Sequence, residues 1–290
     1  MIGGIEAGGT KCVLAVGPSP HAIAAIHTIP TRSPEDTVAE ALGWFAEQPA
    51  ISALGLATFG PVGLDPRRQD FGHILATPKP GWTGFDFAGA LASGLRVPVS
   101  IETDVNAAAL AEAHAGDAAA SLAYMTVGTG IGVGMVIDGR CIHGAAHPEM
   151  GHYYPRRPAD DDDFAGVCPF HGDCLEGLAS GPAILARWGA TLSDLPGHHP
   201  AHQHIAAYLA QACHTLFAAT SAETVVVGGG VLDTPGLRDR IARNCVELDA
   251  GYLPGGERHR VRTPSLGNRS GITGALTLAA SPWCATRTPN

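Results

Sequence analysis

At 290 residues, 45% hydrophobic and 16% charged, the chain can bury a large core, most naturally as two lobes, and its composition is globular rather than disordered. A formal net charge of -9 without clusters of Lys and Arg leaves no positive footprint for nucleic acid or an anionic membrane surface, and points to a small-molecule partner. No apolar run is long enough to cross a bilayer, and "MIGGIEAGG" has neither a basic region ahead of an apolar one nor a cleavage site, so the expected location is the cytoplasm.

The chain opens as strand, turn, strand, from Met1 to Ile5, "EAGGT", and Lys11 to Val16, with a third strand over Ala22 to Ile29. Ser33, Pro34 and Asp36 then supply an N-cap, a first-turn proline and an early acid for a helix running to about Glu47. "ISALGLAT" is the next strand. A Gly/Pro-rich excursion from Gly60 to Gly84 follows, too long for an ordinary connection and therefore functional or mobile. "RVPVSIET" is a further strand, after which Asp104 caps an alanine-rich helix, "VNAAALAEAHA". Strands alternating with helices make an α/β lobe.

The second half begins in the same way, with "LAYMTV", then "GTGIG", then "VGMVIDGRCIHG", where "DG" marks a hairpin turn. Helices follow around Pro182 to Trp188 and His202 to Ala219, then a buried strand "TVVV", the turn "GGG", a helix capped near Thr234, and a last helix from Ser270. Each half thus opens with two strands joined by a Gly/Thr turn, an internal repeat. The four histidines of "HHPAHQH", residues 198 to 204, read as a solvated loop ahead of a helix.

Seven cysteines, an odd number at irregular spacing, do not form a disulfide framework, and Cys12, Cys141, Cys213, Cys245 and Cys284 read as small buried apolar side chains. Cys168, His171 and Cys174 are different. They follow C-x-x-H-x-x-C, and thiolates with an imidazole at that spacing suit tetrahedral zinc, which requires a fourth ligand.

"GIEAGGTK" is not a Walker loop, because its order is Gly-Thr-Lys and a strand follows where a helix should. "GTGIGVG" misses the dinucleotide fingerprint, since Val133 takes the third glycine's place and the segment continues as a strand. What remains is a pair of β-turns whose glycines let the backbone approach a ligand and whose threonine hydroxyls can donate to an oxygen anion. Either turn alone is an ordinary hairpin. Together with "VVVGGGV" they point to a site that grips a chain of phosphates.

"GIEAGGTK", "TVGTGIGVG", "VVVGGGV" and "GNRSGITGAL" resemble the phosphate and adenosine motifs of the actin-like sugar kinases, and with "PEMGH" and the Cys/His loop the set resembles the ROK family from about Ile2 to Leu276. "TPKPGW" and "VCPFHGDCLEGLASGPA" are similar to its fructokinase branch. The resemblance implies an α/β, two-lobed actin-like (ribonuclease H-like) ATPase fold with an interlobe cleft and a zinc-binding loop. The smaller N-terminal α/β lobe would span 1–115, with a last helix at about 277–290 packing back on it. The larger α/β lobe would span 116–276 and carry the zinc loop 147–176. The implied reaction is ATP-dependent hexose phosphorylation, ATP and D-fructose giving ADP and D-fructose 6-phosphate, by a homodimer.

The family's catalytic aspartate falls on Asp104, at a strand end that becomes a helix, where a carboxylate can accept the hydroxyl proton. Magnesium needs few protein carboxylates, and Asp104 with Glu6, which stands where many relatives resemble an Asp, would supply them. The resemblance places Gly8, Gly9, Thr10 and Lys11 with Gly128, Thr129 and Gly130 at the phosphates of ATP, and Pro182, Gly229, Gly267, Asn268 and Ser270 around the nucleotide. His152 matches the fourth zinc ligand, making a closed Cys2His2 site that is structural rather than catalytic. Zinc would present Glu149 and Glu176 to the sugar, and His152 would offer its second ring nitrogen to a hydroxyl. Chelation should then lower sugar affinity and spare nucleotide binding. Gly60, Pro61 and Trp82 belong to a loop expected to close over the sugar, with Trp82 as an apolar lid. Thr103 and Asn106 flank the base, and Thr103 stands where glucokinase-like relatives have asparagine, which favours fructose over glucose.

Within the family the alternatives are a kinase of mannose, glucose or an N-acylated amino sugar. A sugar-sensing regulator would carry a helix-turn-helix ahead of this fold, whereas this acidic chain opens directly on a strand. An inactive sugar-binding scaffold would not need Asp104 together with the phosphate turns.

Overall fold

The computed structural model describes residues 1–115, 119–161, 164–281 and 286–289. By its internal contacts the chain forms two units, one of Met1–Ala115, Arg140–His147 and Asn268–Asn290, the other of Gly116–Gly139 and Pro148–Gly267.

In the first unit β1 (Ile2–Ala7) and β2 (Lys11–Gly17) pair antiparallel, with Ala7 opposite Cys12. The intervening turn is closed by the Gly8 N–H donating to the Lys11 carbonyl at 2.9 Å. β3 (Ala25–Pro30) pairs with β2 and is largely exposed, as a sheet edge should be. Helix α1 (Pro34–Ala46) starts as its sequence predicts, Ser33 accepting from the Asp36 N–H with proline in the first turn. β4 (Leu54–Thr58) is buried at every residue and runs parallel to β1. α2 (Phe87–Leu95) leads to β5 (Val99–Thr103), parallel to β4, and directly into α3 (Asp104–His114).

In the second unit β6 (Ser121–Val127) and β7 (Ile131–Ile137) form a hairpin around Gly128–Gly130. Asp138 and Gly139 both adopt positive φ, 50° and 72°, as a tight hairpin turn demands, and lead to the two-residue strand β8 (Arg140–Cys141). A 3-10 turn at Met150–His152 and helices α4 (Leu175–Ala179), α5 (Gly181–Trp188) and α6 (Ala201–Thr220) follow. Then come β9 (Thr224–Gly228), parallel to β6, helix α7 (Leu237–Asp249), and β10 (Arg260–Arg262), parallel to β9.

The last described elements return to the first unit. α8 (Ser270–Ala280) packs against α3, β1 and β4, and β11 (Thr286–Arg287) pairs antiparallel with β5. α8 crosses α3 so closely that a Cβ on Gly274 would lie 2.1 Å from the Ala107 carbonyl oxygen, so that position excludes any side chain. The segment 277–290 is therefore not one helix: α8 ends at Ala280, Thr286–Arg287 is strand, and 282–285 and 290, Cys284 included, lie outside the described residues. A single cut between residues 115 and 116 does not describe the chain, because 140–147 and the stretch from Asn268 make their contacts with the first unit.

The first sheet has the order β11-β5-β4-β1-β2-β3. Within it β5-β4-β1-β2 has the same order and the same parallel and antiparallel senses as β10-β9-β6-β7 in the second sheet. The repeated Gly/Thr turn is thus the tip of a repeated sheet. One loop expectation fails: His202 and His204 lie in the first turn of α6 and are buried, 5% and 6% exposed. His202 meets the Leu195 carbonyl, and His204 lies 3.4 Å from Asp160, so this half of the run is helix packed inward, while His198 stays exposed in the turn ahead of it.

Candidate active site and metal centre

The metal ligands predicted from spacing converge. The donor atoms of His152, Cys168, His171 and Cys174 all lie within 4.8 Å of one another. Both histidines present Nδ1: His152 is 3.7 Å from Cys168 Sγ and 3.6 Å from Cys174 Sγ, and His171 is 3.7 Å from Cys168 Sγ. Tetrahedral zinc with ordinary Zn–S and Zn–N bonds holds sulfur and nitrogen about 3.6 Å apart, so the donor set fits that ion. Burial, joined by the neighbouring Cys168, pushes the Cys174 thiol up to about 11, and a bound cation would hold this sulfur as thiolate. The stretch between His152 and Cys168 is anchored by the buried Asp161, which accepts from Arg157 at 2.8 Å and from Arg187 and Tyr208.

Around this centre Glu149 is exposed and Glu176 is half-buried. Glu176 Oε2 accepts the Ile131 N–H at 2.8 Å, beside the Gly128–Thr129–Gly130 turn. The Gly181 N–H at the start of α5 donates to the Gly128 carbonyl at 2.8 Å, and Pro182 follows on the exposed surface. Gly229, at φ 93°, ends β9 as the sequence pattern expects.

In the first unit the residue capping α3 is Thr103, whose Oγ1 accepts from the Asn106 N–H at 3.1 Å. Asp104 is the first helical residue instead, half-buried, its Oδ1 accepting the Val105 N–H at 2.9 Å. Beneath it lies a group that motif reading missed. Glu102, 3% exposed, accepts from the Thr103 N–H at 2.8 Å, from the Asn106 amide at 3.1 Å and from His143 Nε2 at 2.6 Å. The Glu102 hydrogen bond holds the His143 imidazole above its ordinary pKa. His147, four residues on, accepts the Val62 N–H at 3.2 Å and so pins the loop that carries Gly60 and Pro61. The only sequence sign of these two anchors was the recurrence of histidine in "HGAAHPEMGH".

Glu6, at the end of β1, is pushed up to about 7 by burial and, next, by the negative charge of Asp104. Two carboxylates that raise one another's cost of ionising fit a divalent cation. Thr10 and Lys11 are exposed at the first turn, and Lys79 of "TPKPGW" brings a second ammonium there, bonded to the Gly9 carbonyl.

Four expectations change. Trp82 is fully buried, its Nε1 donates to the Arg32 carbonyl at 2.9 Å, and its ring meets Phe59, Phe85 and Phe87 edge-on, so it is core and not a lid. Thr103 and Asn106 are buried, 4% and 1% exposed, and hold the first turn of α3 rather than facing a substrate. Ser270, 2% exposed, donates to Glu112 at 2.8 Å and so faces α3 rather than solvent, while Gly267 and Asn268 just before it are exposed.

A family model described as the ROK family matches residues 2–281. A fructokinase of Zymomonas mobilis is 42% identical over 289 residues, covering 96% of each chain. A protein described as a putative fructokinase in Bacillus subtilis is 41% identical over 286 residues, covering 96% of this chain and 95% of its own. Among solved structures, the ROK hexokinase from Thermus thermophilus aligns with a TM-score of 0.77 at 30% identity, over 96% of this chain and 97% of that one.

Proposed function

The chain belongs to the ROK family, and from that premise we propose an ATP-dependent hexose kinase that prefers fructose. The observation that carries the reading is likeness at 42% and 41% identity, over nearly the whole chain, to two relatives described as fructokinases, one of them as putative. Thr103 lends it no support, because its hydroxyl is buried as the cap of α3.

In the proposed reaction the sugar's terminal hydroxyl oxygen forms a bond to the γ-phosphorus of ATP while the bond to the β-phosphate bridging oxygen breaks, and the hydroxyl proton passes to the Asp104 carboxylate. The Glu102 hydrogen bonds to the Thr103 N–H and the Asn106 amide hold the first turn of α3, the turn that carries Asp104. Magnesium, when bound beside Glu6 and Asp104, would neutralise phosphate charge. Gly8 to Lys11 with Lys79, and Gly128 to Gly130, are assigned to the phosphates. Pro182, Gly229, Gly267 and Asn268 are assigned to the nucleoside. Glu149, His152 through Nε2, and the free Oε1 of Glu176 are assigned to the sugar's hydroxyls. Zinc with four protein ligands leaves no open position and is structural.

The actin-like architecture belongs to the same proposal and is supported by the repeated strand order of the two sheets. A homodimer is its remaining part, checked by sedimentation. A coupled assay of ADP release across fructose, glucose, mannose and N-acetylmannosamine, with and without magnesium, tests the reading. Fructose should give the highest kcat/KM; another sugar in that place removes the fructose assignment, and no turnover with any sugar removes the kinase.

A further inference from the structure

Two short pieces of chain carry the metal ligands, and both converge on Ile131, the residue immediately after the Gly128–Gly130 turn. From the first piece, Gly151, beside the ligand His152, packs on the Ile131 carbonyl so closely that a Cβ there would stand 1.8 Å from the oxygen. From the second, Glu176, two residues past the ligand Cys174, accepts the Ile131 N–H at 2.8 Å. The Leu175 N–H donates to the Tyr153 carbonyl at 2.9 Å and ties the two pieces together outside the ligand set. The far end of the turn is held from the same direction, by the Gly181 N–H on the Gly128 carbonyl at 2.8 Å. The Ile131 N–H is therefore bonded, and its carbonyl closely packed, by residues one or two positions from metal ligands. Thr129 stands exposed between these anchors.

We propose that Glu176 is a positioning residue for the nucleotide: the metal centre fixes Glu176, Glu176 fixes the Ile131 N–H, and the phosphate-facing turn takes its shape from that bond. This rests on the assignment of residues 128–130 to the phosphates. In place of a metal loop that serves the sugar alone, the Cys2His2 centre governs nucleotide affinity through one hydrogen bond. A bond from a backbone N–H to a carboxylate is among the stronger ones, and a turn released from it must be reordered by the ligand.

The test is calorimetric titration of a non-hydrolysable ATP analogue, with magnesium and without sugar, into the zinc-loaded full chain and its variants. Glu176→Ala should weaken the analogue about tenfold. Glu176→Gln keeps a carbonyl oxygen for the Ile131 N–H and should lose less than about threefold, a rescue that removal of charge would not allow. Chelation of the wild type should weaken the analogue as Glu176→Ala does, and chelation of Glu176→Ala should add little. Zinc content and melting temperature are read on each variant, so a misfolded one is recognised, and Gly151→Ala gives a second route to the same displacement. Thr129→Val serves as control for the phosphate turn. If Thr129→Val weakens the analogue and Glu176→Ala does not, the proposal is overturned while the turn keeps its assignment. If neither changes affinity, both are overturned.

Discussion

The two glycine turns share a sequence pattern and a place at the tip of equivalent strand pairs, yet they are held in different ways. The first is held by half-buried Thr31, which donates its N–H to the Thr10 carbonyl at 3.0 Å and its hydroxyl to the Gly8 carbonyl at 2.8 Å, and by Lys79, which reaches the Gly9 carbonyl from a loop 70 residues away. The second has no cation among its described contacts and is fixed by backbone and carboxylate bonds from the chain around the metal ligands. On the proposed phosphate assignment, one turn would bring charge and the other shape. A repeated hairpin can thus be kept while its supports are replaced, since only the turn itself has to meet the ligand.

The widest gap between the units should appear on losing the base. Asp104→Asn should lower kcat by about a hundredfold to ten-thousandfold while zinc content, melting temperature and sugar binding stay near wild type. A variant retaining most of its turnover would take Asp104 out of the chemistry. Next, Cys174→Ser should strip the metal and lower the melting temperature by roughly 10 °C, an effect confined to the second unit's support. Unchanged zinc by elemental analysis would show that the four donors do not act as a set.

Lys79→Ala separates charge from shape. It should raise KM for ATP roughly tenfold at low salt, and less at high salt because an exposed ammonium is screened, leaving zinc content untouched. The smallest effect concerns His143. Its folded pKa lies above the ordinary 6.5 because of Glu102, so its stabilisation is complete below that value and is lost as pH rises through the folded one. The ring is 42% exposed, and solvent screening holds the contribution below about 1 kcal/mol. His143→Gln should therefore cost more stability near pH 6 than near pH 9 in urea titrations; equal costs at both would remove the ion pair.

Much of this was legible wherever the signal is local. Alternation and glycines gave both hairpins, Ser33 with Pro34 gave the start of α1, and ligand spacing gave three of the four metal donors. The losses share one cause, a partner distant in sequence. Trp82 reads as a loop aromatic until Phe59, Phe85 and Phe87 close around it. The bond from the Ile131 N–H to Glu176, 45 residues later, leaves no local sign in the sequence either. The helix start near His202 was legible, but His204 reads as solvated because nothing in "HHPAHQH" announces that this face of α6 turns inward, toward Trp188. Asp104 differs, since the cap and the first helical position are neighbours, and propensity does not separate them.

The return of α8 to β1 and β4 also sets an order of events during synthesis. A ribosome makes β1 well before the helix that covers it, so the first unit's sheet waits, partly bare, until the chain of the second unit has been made. The intervening stretch, whose partners are nearly all contiguous, has no such delay. The later-encoded body can mature before the earlier one, and the waiting sheet is where a chaperone would find apolar surface to bind.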